Sequence, residues 1–163
     1  MIPIPQIKTI LYATDLGKFT RPVFRQAIAH ANVHRAKVII MHVVEPLTET
    51  ARAVISAYMP ETAIEEIQKD GMKNIVAHMK ERVQKFSEEE CDGIGIEQLP
   101  LQDIVVIAGR PSEEILRAAE KYHADLIVMG QSSKKVMGSK VMGSSARRVA
   151  RLATVPVLIV PNM

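Results

Sequence analysis

The sequence predicts an α/β fold in which a doubly wound, five-stranded parallel sheet has helices on both faces. Five short apolar runs indicate strands, amphipathic helical patterns lie between them, and most of the runs are continuously apolar rather than alternating. Continuous apolar runs are typical of strands that are buried on both faces of a parallel sheet. Right-handed crossovers then place the intervening helices on both sides of that sheet.

The strand predictions follow the apolar runs in chain order. The five strands are expected at Thr9–Ala13, Lys37–Val44, Asp103–Ala108, Asp125–Met129 and Val157–Val160. The chain has 163 residues, and neither a linker nor a long-period repeat interrupts this order. We therefore expect residues 1–163 to form one domain.

Four helices are predicted from apolar residues at helical spacing, and three of them have candidate caps. Thr20 is the candidate cap of the first helix, and Ser112 is that of the third. Thr62 and Glu65 have the spacing of a capping box for the second. The apolar stripes are Val23, Phe24, Ala27, Ile28 and Ala31; Ile64, Ile67, Ile75, Val76, Met79, Val83 and Phe86; Ile115, Leu116, Ala119 and Tyr122; and Ala146, Val149, Leu152 and Ala153.

Two segments give weaker signals. Residues 45–60 are compatible with a loop, a short helix or a partly disordered segment. Residues 88–99 are acidic and contain glycine, so we expect a connection there.

The composition argues against several classes of protein. The net charge is +3, but basic and acidic residues are mixed, and the chain has three Phe, three Tyr and no Trp. Such a chain is poorly supplied for stacking bases, so we expect no nucleic-acid partner. No run reaches the roughly 20 apolar residues of a membrane span, and the start does not resemble a signal peptide, so we expect no membrane association. A single cysteine, Cys91, fits a reducing compartment, and we expect a cytoplasmic protein.

Two predicted strands end in residues suited to a ligand site. Thr14 and Asp15 follow the first strand, and the fourth leads through Gly130 into a loop rich in Gly, Ser and Lys that meets a helix near Ser144. Ligands of open parallel sheets bind at the carboxyl ends of strands, near the topological switch point. Backbone amides, hydroxyls, lysines and a helix amino terminus can hold a phosphate there without a nucleophile. The alternative is a surface loop before a capped helix, with Asp15 as a turn residue or a cap.

Five motifs in order along the chain resemble those of the universal stress protein family. They are Lys8–Asp15 (KTILYATD), Ile40–Val44 (IMHVV), Gly109–Ile115 (GRPSEEI), Ala124–Gly130 (ADLIVMG) and Val155–Val160 (VPVLIV). The resemblance covers nearly the whole chain. It implies a Rossmann-like fold of the adenine nucleotide alpha hydrolase-like type, here as a single universal stress protein domain.

The nucleotide-binding branch of that family has a motif of Gly, two residues, Gly, nine residues, then Gly and Ser or Thr. This chain has Gly130, Ser133 in place of the second glycine, and Gly143 followed by Ser144. The resemblance implies a site for ATP or another adenine nucleotide, with Mg²⁺ as a companion ion. The resemblance implies Asp15 and Val43 near the adenosine, and it also includes Ala13 and Thr14 among the nucleotide-binding residues. The residues implied around the phosphates are Gly130, Ser133, Lys134, Gly143, Ser144 and Ser145.

The expected function is nucleotide binding in the regulation of a stress response, not metabolic catalysis. No paired carboxylates, catalytic triad or metal cluster is visible, so neither catalytic nor metal-binding residues are predicted. Two alternatives stay open: a dimeric scaffold of the same fold without nucleotide affinity, and a slow ATPase in which Asp15 helps to hold a divalent ion. By resemblance Val157–Val160 is an edge strand, and an apolar edge predicts a homodimer paired through it.

Overall fold

The computed structural model describes residues 2–90, 98–131 and 141–162. Its strands are β1 (Thr9–Ala13), β2 (Lys37–Val44), β3 (Leu101–Ala108), β4 (Leu126–Gly130) and β5 (Val157–Val160). They form one sheet in the order β3-β2-β1-β4-β5, and every neighbouring pair is parallel. The predicted five-stranded parallel sheet is confirmed.

Five helices connect the strands of the described chain. They are α1 (Arg21–His34), α2 (Glu49–Ser56), α3 (Glu61–Glu90), α4 (Pro111–Lys121) and α5 (Ser144–Leu152). The α2 helix falls in the segment that the sequence left open, and the side chain of Thr48 caps it by accepting a hydrogen bond from the Ala51 amide at 3.2 Å. None of the described helices has the length and apolarity that crossing a membrane requires.

The helices cover both faces of the sheet, as predicted. Alternate residues of β1 point to opposite sides: Ile10 and Tyr12 pack in a cluster with α1 and α3, whereas Leu11 and Ala13 pack in a second cluster with α4 and α5. Residues Ile10 to Ala13 are all buried. This two-sided burial explains why the central strand reads as a continuous apolar run.

Some predicted boundaries differ from those in the structure. The β3 strand begins two residues early, at Leu101, and β4 is shifted by one residue to Leu126–Gly130. The α3 helix continues to Glu90, so the predicted connection begins later than expected. Ile67, which belongs to the apolar pattern that predicts α3, lies within this helix but is 58% exposed, so it is outside the buried face. Residues 91–97, which include Cys91, and the side chain of Phe86 lie outside the described part of the chain.

Of the three predicted helix caps, Thr20 lies at the predicted position, whereas Thr62 and Ser112 do not. Thr20 occupies the N-cap position of α1, but it makes no side-chain cap and its hydroxyl instead donates to the Gly17 carbonyl at 3.3 Å. The α3 helix begins at Glu61, because the carbonyl of Pro60 accepts the first helical bond, so Thr62 lies inside the first turn and cannot head a capping box. The α4 helix begins at Pro111, whose fixed φ angle suits the first helical position, so Ser112 is inside the helix as well.

Candidate functional site

The topological switch point lies between β1 and β4. These two strands are neighbours, and Ala13 pairs with Met129 in their register. The connection after β1 leads to β2 on one side of β1, whereas the chain reaches β4 on the other side. The carboxyl ends of β1 and β4 therefore border the crevice in which open α/β sheets bind ligands.

The loop between β1 and α1, residues 14–20, is bonded to the neighbouring strand. The Thr14 amide donates to the Met41 carbonyl at 2.9 Å, and the Nδ1 atom of His42 lies 2.8 Å from the Thr14 carbonyl oxygen. Because that oxygen can only accept, Nδ1 is the protonated nitrogen of this ring. The motif histidine of β2 therefore holds the backbone next to Asp15.

Asp15 closes a tight turn at the start of this loop. Its Oδ1 atom accepts a hydrogen bond from the Gly17 amide at 2.9 Å, and Leu16 between them has a φ angle of 60° in the left-handed region. The Leu16 amide donates to the Thr14 hydroxyl at 3.2 Å. Asp15 is thus a turn residue, which is one of the two structural roles that its sequence position allowed. Asp15 is exposed, and within the described chain its Oδ2 atom accepts no hydrogen bond.

A side chain from α3 holds the same loop from the other side. The Arg82 guanidinium donates to the Leu16 carbonyl, to the Gly17 carbonyl at 3.0 Å and to the Thr20 hydroxyl at 3.2 Å. Sequence reasoning missed this residue. The available signal was a charged residue at helical spacing from Met79 in the middle of an apolar stripe.

The two ends of the glycine- and serine-rich loop meet at the end of β4. The Gln131 amide donates to the Val160 carbonyl at 2.9 Å, and the Gly143 amide donates to the Gln131 carbonyl at 2.8 Å. Gly143 is the N-cap of α5, and Ser144 and Ser145 open its first turn. The predicted helix start near Ser144 is confirmed. Ser133 and Lys134 lie outside the described residues.

The face of the sheet that packs against α4 and α5 brings several predicted residues together. Ala13 and Val43 belong to one apolar cluster with Met142 and Ala146, which flank the residues Gly143–Ser145. The end of the central strand, the end of β2 and the start of α5 therefore contribute to the same apolar layer on this face of the sheet. A helix start offers backbone amides without intrahelical partners and the positive end of the helix dipole.

Gly130 leaves room for a side chain that the sequence did not indicate. A Cβ atom added at Gly130 would lie 2.6 Å from Asn162 Nδ2 and 3.3 Å from a methyl group of Val23. Asn162 is 8% exposed, and its amide donates to the Phe19 carbonyl at 3.4 Å. The space left by this glycine is thus filled by Asn162, on the side of the sheet that faces α1. Sequence reasoning also missed Asn162.

Basic side chains surround the start of α5. Arg147 donates to the Met142 carbonyl at 3.3 Å. Arg148 lies 3.7 Å from Glu113, which also pairs with Arg110 at 3.1 Å. Among the described residues, no three His, Cys, Asp or Glu side chains converge to hold a metal ion. The local chemistry favours an anion held by amides and cations.

Comparison with known proteins establishes the family. The model of the universal stress protein family matches residues 6–161. The "universal stress protein in QAH/OAS sulfhydrylase 3'region" of Thermus aquaticus is 31% identical over 153 residues, which cover 94% of this chain and 98% of that protein. The chain therefore belongs to the universal stress protein family, which confirms the resemblance seen in its motifs.

Solved structures show the same fold. Universal stress protein UspA from Lactobacillus plantarum matches with a TM-score of 0.71 at 19% identity, over 96% of this chain and 99% of that one. A universal stress protein in complex with cAMP matches with a TM-score of 0.62 at 18% identity, over 98% of this chain and 100% of that one. One from Archaeoglobus fulgidus in complex with dAMP matches with a TM-score of 0.50 at 17% identity, over 94% and 97% of the two chains.

Proposed function

We propose that this protein binds an adenine nucleotide at the switch point and acts as a regulatory protein of the stress response. The main support is the cluster that joins Ala13 and Val43 to the residues flanking Gly143–Ser145. This cluster lies beside a helix amino terminus, which is a favourable position for a phosphate. Relatives of the same fold have been solved with cAMP and with dAMP, and both ligands combine an adenine with a phosphate.

The proposed site has an adenosine part and a phosphate part. Near the adenosine are Ala13, Thr14, Asp15 and Val43, and around the phosphates are Gly130, Ser133, Lys134, Gly143, Ser144 and Ser145. The Asp15 carboxylate uses one oxygen in its own turn, which leaves the other for a ribose hydroxyl or for the Mg²⁺ that accompanies ATP. The amides of the first turn of α5 would donate to phosphate oxygens.

Substitution of Gly143 tests the site. Gly143→Val adds a branched side chain at the helix start, where the phosphates would approach the backbone, so ATP affinity should fall at least about tenfold. Gly71→Val is the matched control, because a Cβ at Gly71 in α3 meets nothing within 4 Å. Calorimetry should give a Kd in the micromolar range for the wild type and for the control. Equal ATP affinity in the wild type and Gly143→Val would contradict the site assignment.

Substitution of Ser133 separates nucleotide binding from the scaffold alternative. A left-handed backbone at Ser133 would cost ~1–2 kcal/mol, whereas a hydrogen bond from its hydroxyl to a phosphate is worth ~1.5–3 kcal/mol. Because the two effects are comparable, Ser133→Gly should tighten ATP binding only modestly. If the wild type shows no binding at millimolar ATP and Ser133→Gly creates it, the natural protein is a scaffold.

We propose a cytosolic protein that reports nucleotide state, with at most slow ATP hydrolysis. A chain with one cysteine fits a reducing compartment. The slow-ATPase alternative depends on Asp15, whose exposed carboxylate follows the end of β1 at the switch point. Phosphate release at low protein concentration that is abolished by Asp15→Asn would favour the enzyme.

We also propose a homodimer paired through β5. This strand lies at the edge of the sheet and pairs only with β4 among the described strands. Val157, Leu158 and Ile159 are half-buried within one chain. A symmetric antiparallel pairing of two β5 strands would provide hydrogen-bond partners for the unpaired backbone groups of this edge. Because the interface is two-fold symmetric, the assembly would stop at a dimer.

Sedimentation at micromolar concentration tests the dimer. Leu158→Lys should shift the wild-type dimer to monomer, whereas Leu152→Lys, at a residue of α5 that is 47% exposed, should leave it intact. Val160 is unsuitable for this test because it is 6% exposed and packs in the core, so a lysine there would unfold the chain. A wild-type monomer would contradict the proposal.

A further inference from the structure

A cavity of about 370 Å³ opens between α1 and α3, beneath the β1–α1 loop. Its floor is apolar and is formed by Tyr12, Phe24, Ile40, Met79 and Val83. These residues belong to the cluster that packs α1 and α3 against the sheet, so the cavity lies on the face opposite to α4 and α5. Its volume falls at the lower end of the ~300–1,000 Å³ that is usual for small-molecule pockets.

The mouth of this cavity is basic. Arg21, Arg82 and Lys85 line it, and none of the lining residues is acidic. Arg21 and Lys85 both approach the carboxylate of Glu89, with 3.8 Å between Lys85 Nζ and Glu89 Oε1. Two cations thus share one carboxylate at the rim.

Arg82 contributes a half-buried charge that no carboxylate balances within the described chain. Its three hydrogen bonds all go to neutral acceptors, namely two backbone carbonyls and a hydroxyl of the β1–α1 loop. Withdrawing a cation from water without a counter-charge is unfavourable, so an anion that enters beside Arg82 would stabilise the site. The floor, in turn, favours an apolar group.

We propose that this cavity binds a small amphipathic carboxylate, with its apolar body on the floor and its carboxylate among Arg82, Lys85 and Arg21. The guanidinium and the ammonium would donate charge-assisted hydrogen bonds to the carboxylate. Burial of the body would add the hydrophobic contribution that a bare anion lacks. This site is separate from the proposed nucleotide site and does not depend on it.

Three probes test both halves of the proposal on the intact chain without nucleotide. Octanoate has the body and the charge, octanol has the body alone, and acetate has the charge alone. Calorimetry should show octanoate binding at least about tenfold more tightly than octanol, because the charge-assisted bonds are lost with the alcohol, and no measurable binding of acetate. Absence of octanoate binding at millimolar concentration would overturn the site, and equal affinities for octanoate and octanol would overturn the anion assignment.

Two variants locate the binding. Val83→Phe places extra volume in the cavity and should abolish octanoate binding. Lys85→Glu reverses a charge at the mouth, on a side chain that is 74% exposed, and should weaken octanoate at least about tenfold while keeping the fold. Lys73→Glu makes the same charge change at an exposed position of α3 away from the cavity and should leave the affinity unchanged. Unchanged octanoate affinity in Lys85→Glu would overturn the proposal even if Val83→Phe fails to fold.

Discussion

Removal of the Arg82 guanidinium should release the loop that carries Asp15. Arg82→Met retains most of the aliphatic stem but removes every donor that this side chain offers to the loop. The three acceptors that lose their partner are the carbonyls of Leu16 and Gly17 and the hydroxyl of Thr20. The substitution therefore isolates the polar contribution of this side chain from its packing.

The expected loss of unfolding free energy is about 2–3 kcal/mol. Hydrogen bonds from a charged donor are worth ~1.5–3 kcal/mol each, but these acceptors lie in a half-exposed loop and regain water when the arginine is removed, so the total stays near the value of one or two such bonds. The left-handed Leu16, with its φ angle of 60°, costs ~1–2 kcal/mol that the intact loop has to compensate. For a chain of 163 residues, the corresponding fall in Tm is roughly 5–10 °C.

Urea unfolding and amide hydrogen exchange together check this prediction. The midpoint should fall in Arg82→Met, and exchange at the Leu16 and Gly17 amides should quicken more than exchange in the core of the sheet. Arg82→Lys should recover part of the loss, because an ammonium reaches fewer of the acceptors than the planar fork. Lys85→Met, on the same helix, is the control. A stability within ~0.5 kcal/mol of the wild type, with unchanged loop exchange, would refute the anchoring role.

Three further predictions concern single side chains of the core and the turns. Burial raises the pKa of Tyr12 from 10.0 to about 12. The unfolded chain therefore loses this proton at a lower pH than the folded chain, and the free energy of unfolding keeps its full value below pH 10. Relative to Tyr12→Phe, it should fall by about 2 kcal/mol between pH 10 and 12, as measured by urea unfolding at each pH. Gly109→Ala should cost about 1–3 kcal/mol, because φ is 156° and a Cβ would lie 2.7 Å from Cγ of Glu114; Glu114→Ala should recover part of it. Gly130→Ala should lower the Tm without any ligand, because its Cβ would lie 2.6 Å from Asn162.

The strands were predictable because burial on both faces leaves a continuous apolar run, and the errors arise where pairing overrides that pattern. The first three residues of β3 are Leu101, Gln102 and Asp103, two of them polar, and only the last of these was predicted as strand. The register between β2 and β3 shifts between Val38 and Ile39, so that Leu101 pairs with Val38 and Asp103 with Ile39. A bulge of this kind depends on the neighbouring strand, which a local pattern does not report.

The predicted caps of α3 and α4, Thr62 and Ser112, were wrong for a related reason. Ser and Thr were favoured as caps by residue type, yet α3 and α4 start at prolines or directly after them. A proline at the first helical position, such as Pro111, lacks an amide that would have had no intrahelical partner, and its fixed φ angle already suits the helix. The position of Pro60 and Pro111 was therefore a better guide to these helix starts than the hydroxyl residues that follow.

The candidate site was predictable only in its local parts. Asp15 and Gly143 are visible in the sequence because each lies next to a strand end or a helix start. The groups that hold the site come from far along the chain: Arg82 reaches Leu16 across 66 residues, Asn162 reaches Phe19 across 143, and His42 reaches Thr14 across 28. Contacts over such separations follow from the topology of the sheet.

The two described glycines of the nucleotide motif have different physical roles, although the sequence presents them as equivalent. Gly130 makes room for the buried amide of Asn162 on the α1 side of the sheet. The fold therefore requires a glycine at this position even when no ligand is bound. Gly143 starts α5 next to the cluster of Ala13 and Val43 on the other side. A substitution that adds a side chain at Gly130 should therefore mainly lower the stability of the fold, whereas one at Gly143 should mainly lower the affinity for the ligand. Stability and ATP affinity measured on both variants separate the structural part of the motif from its binding part.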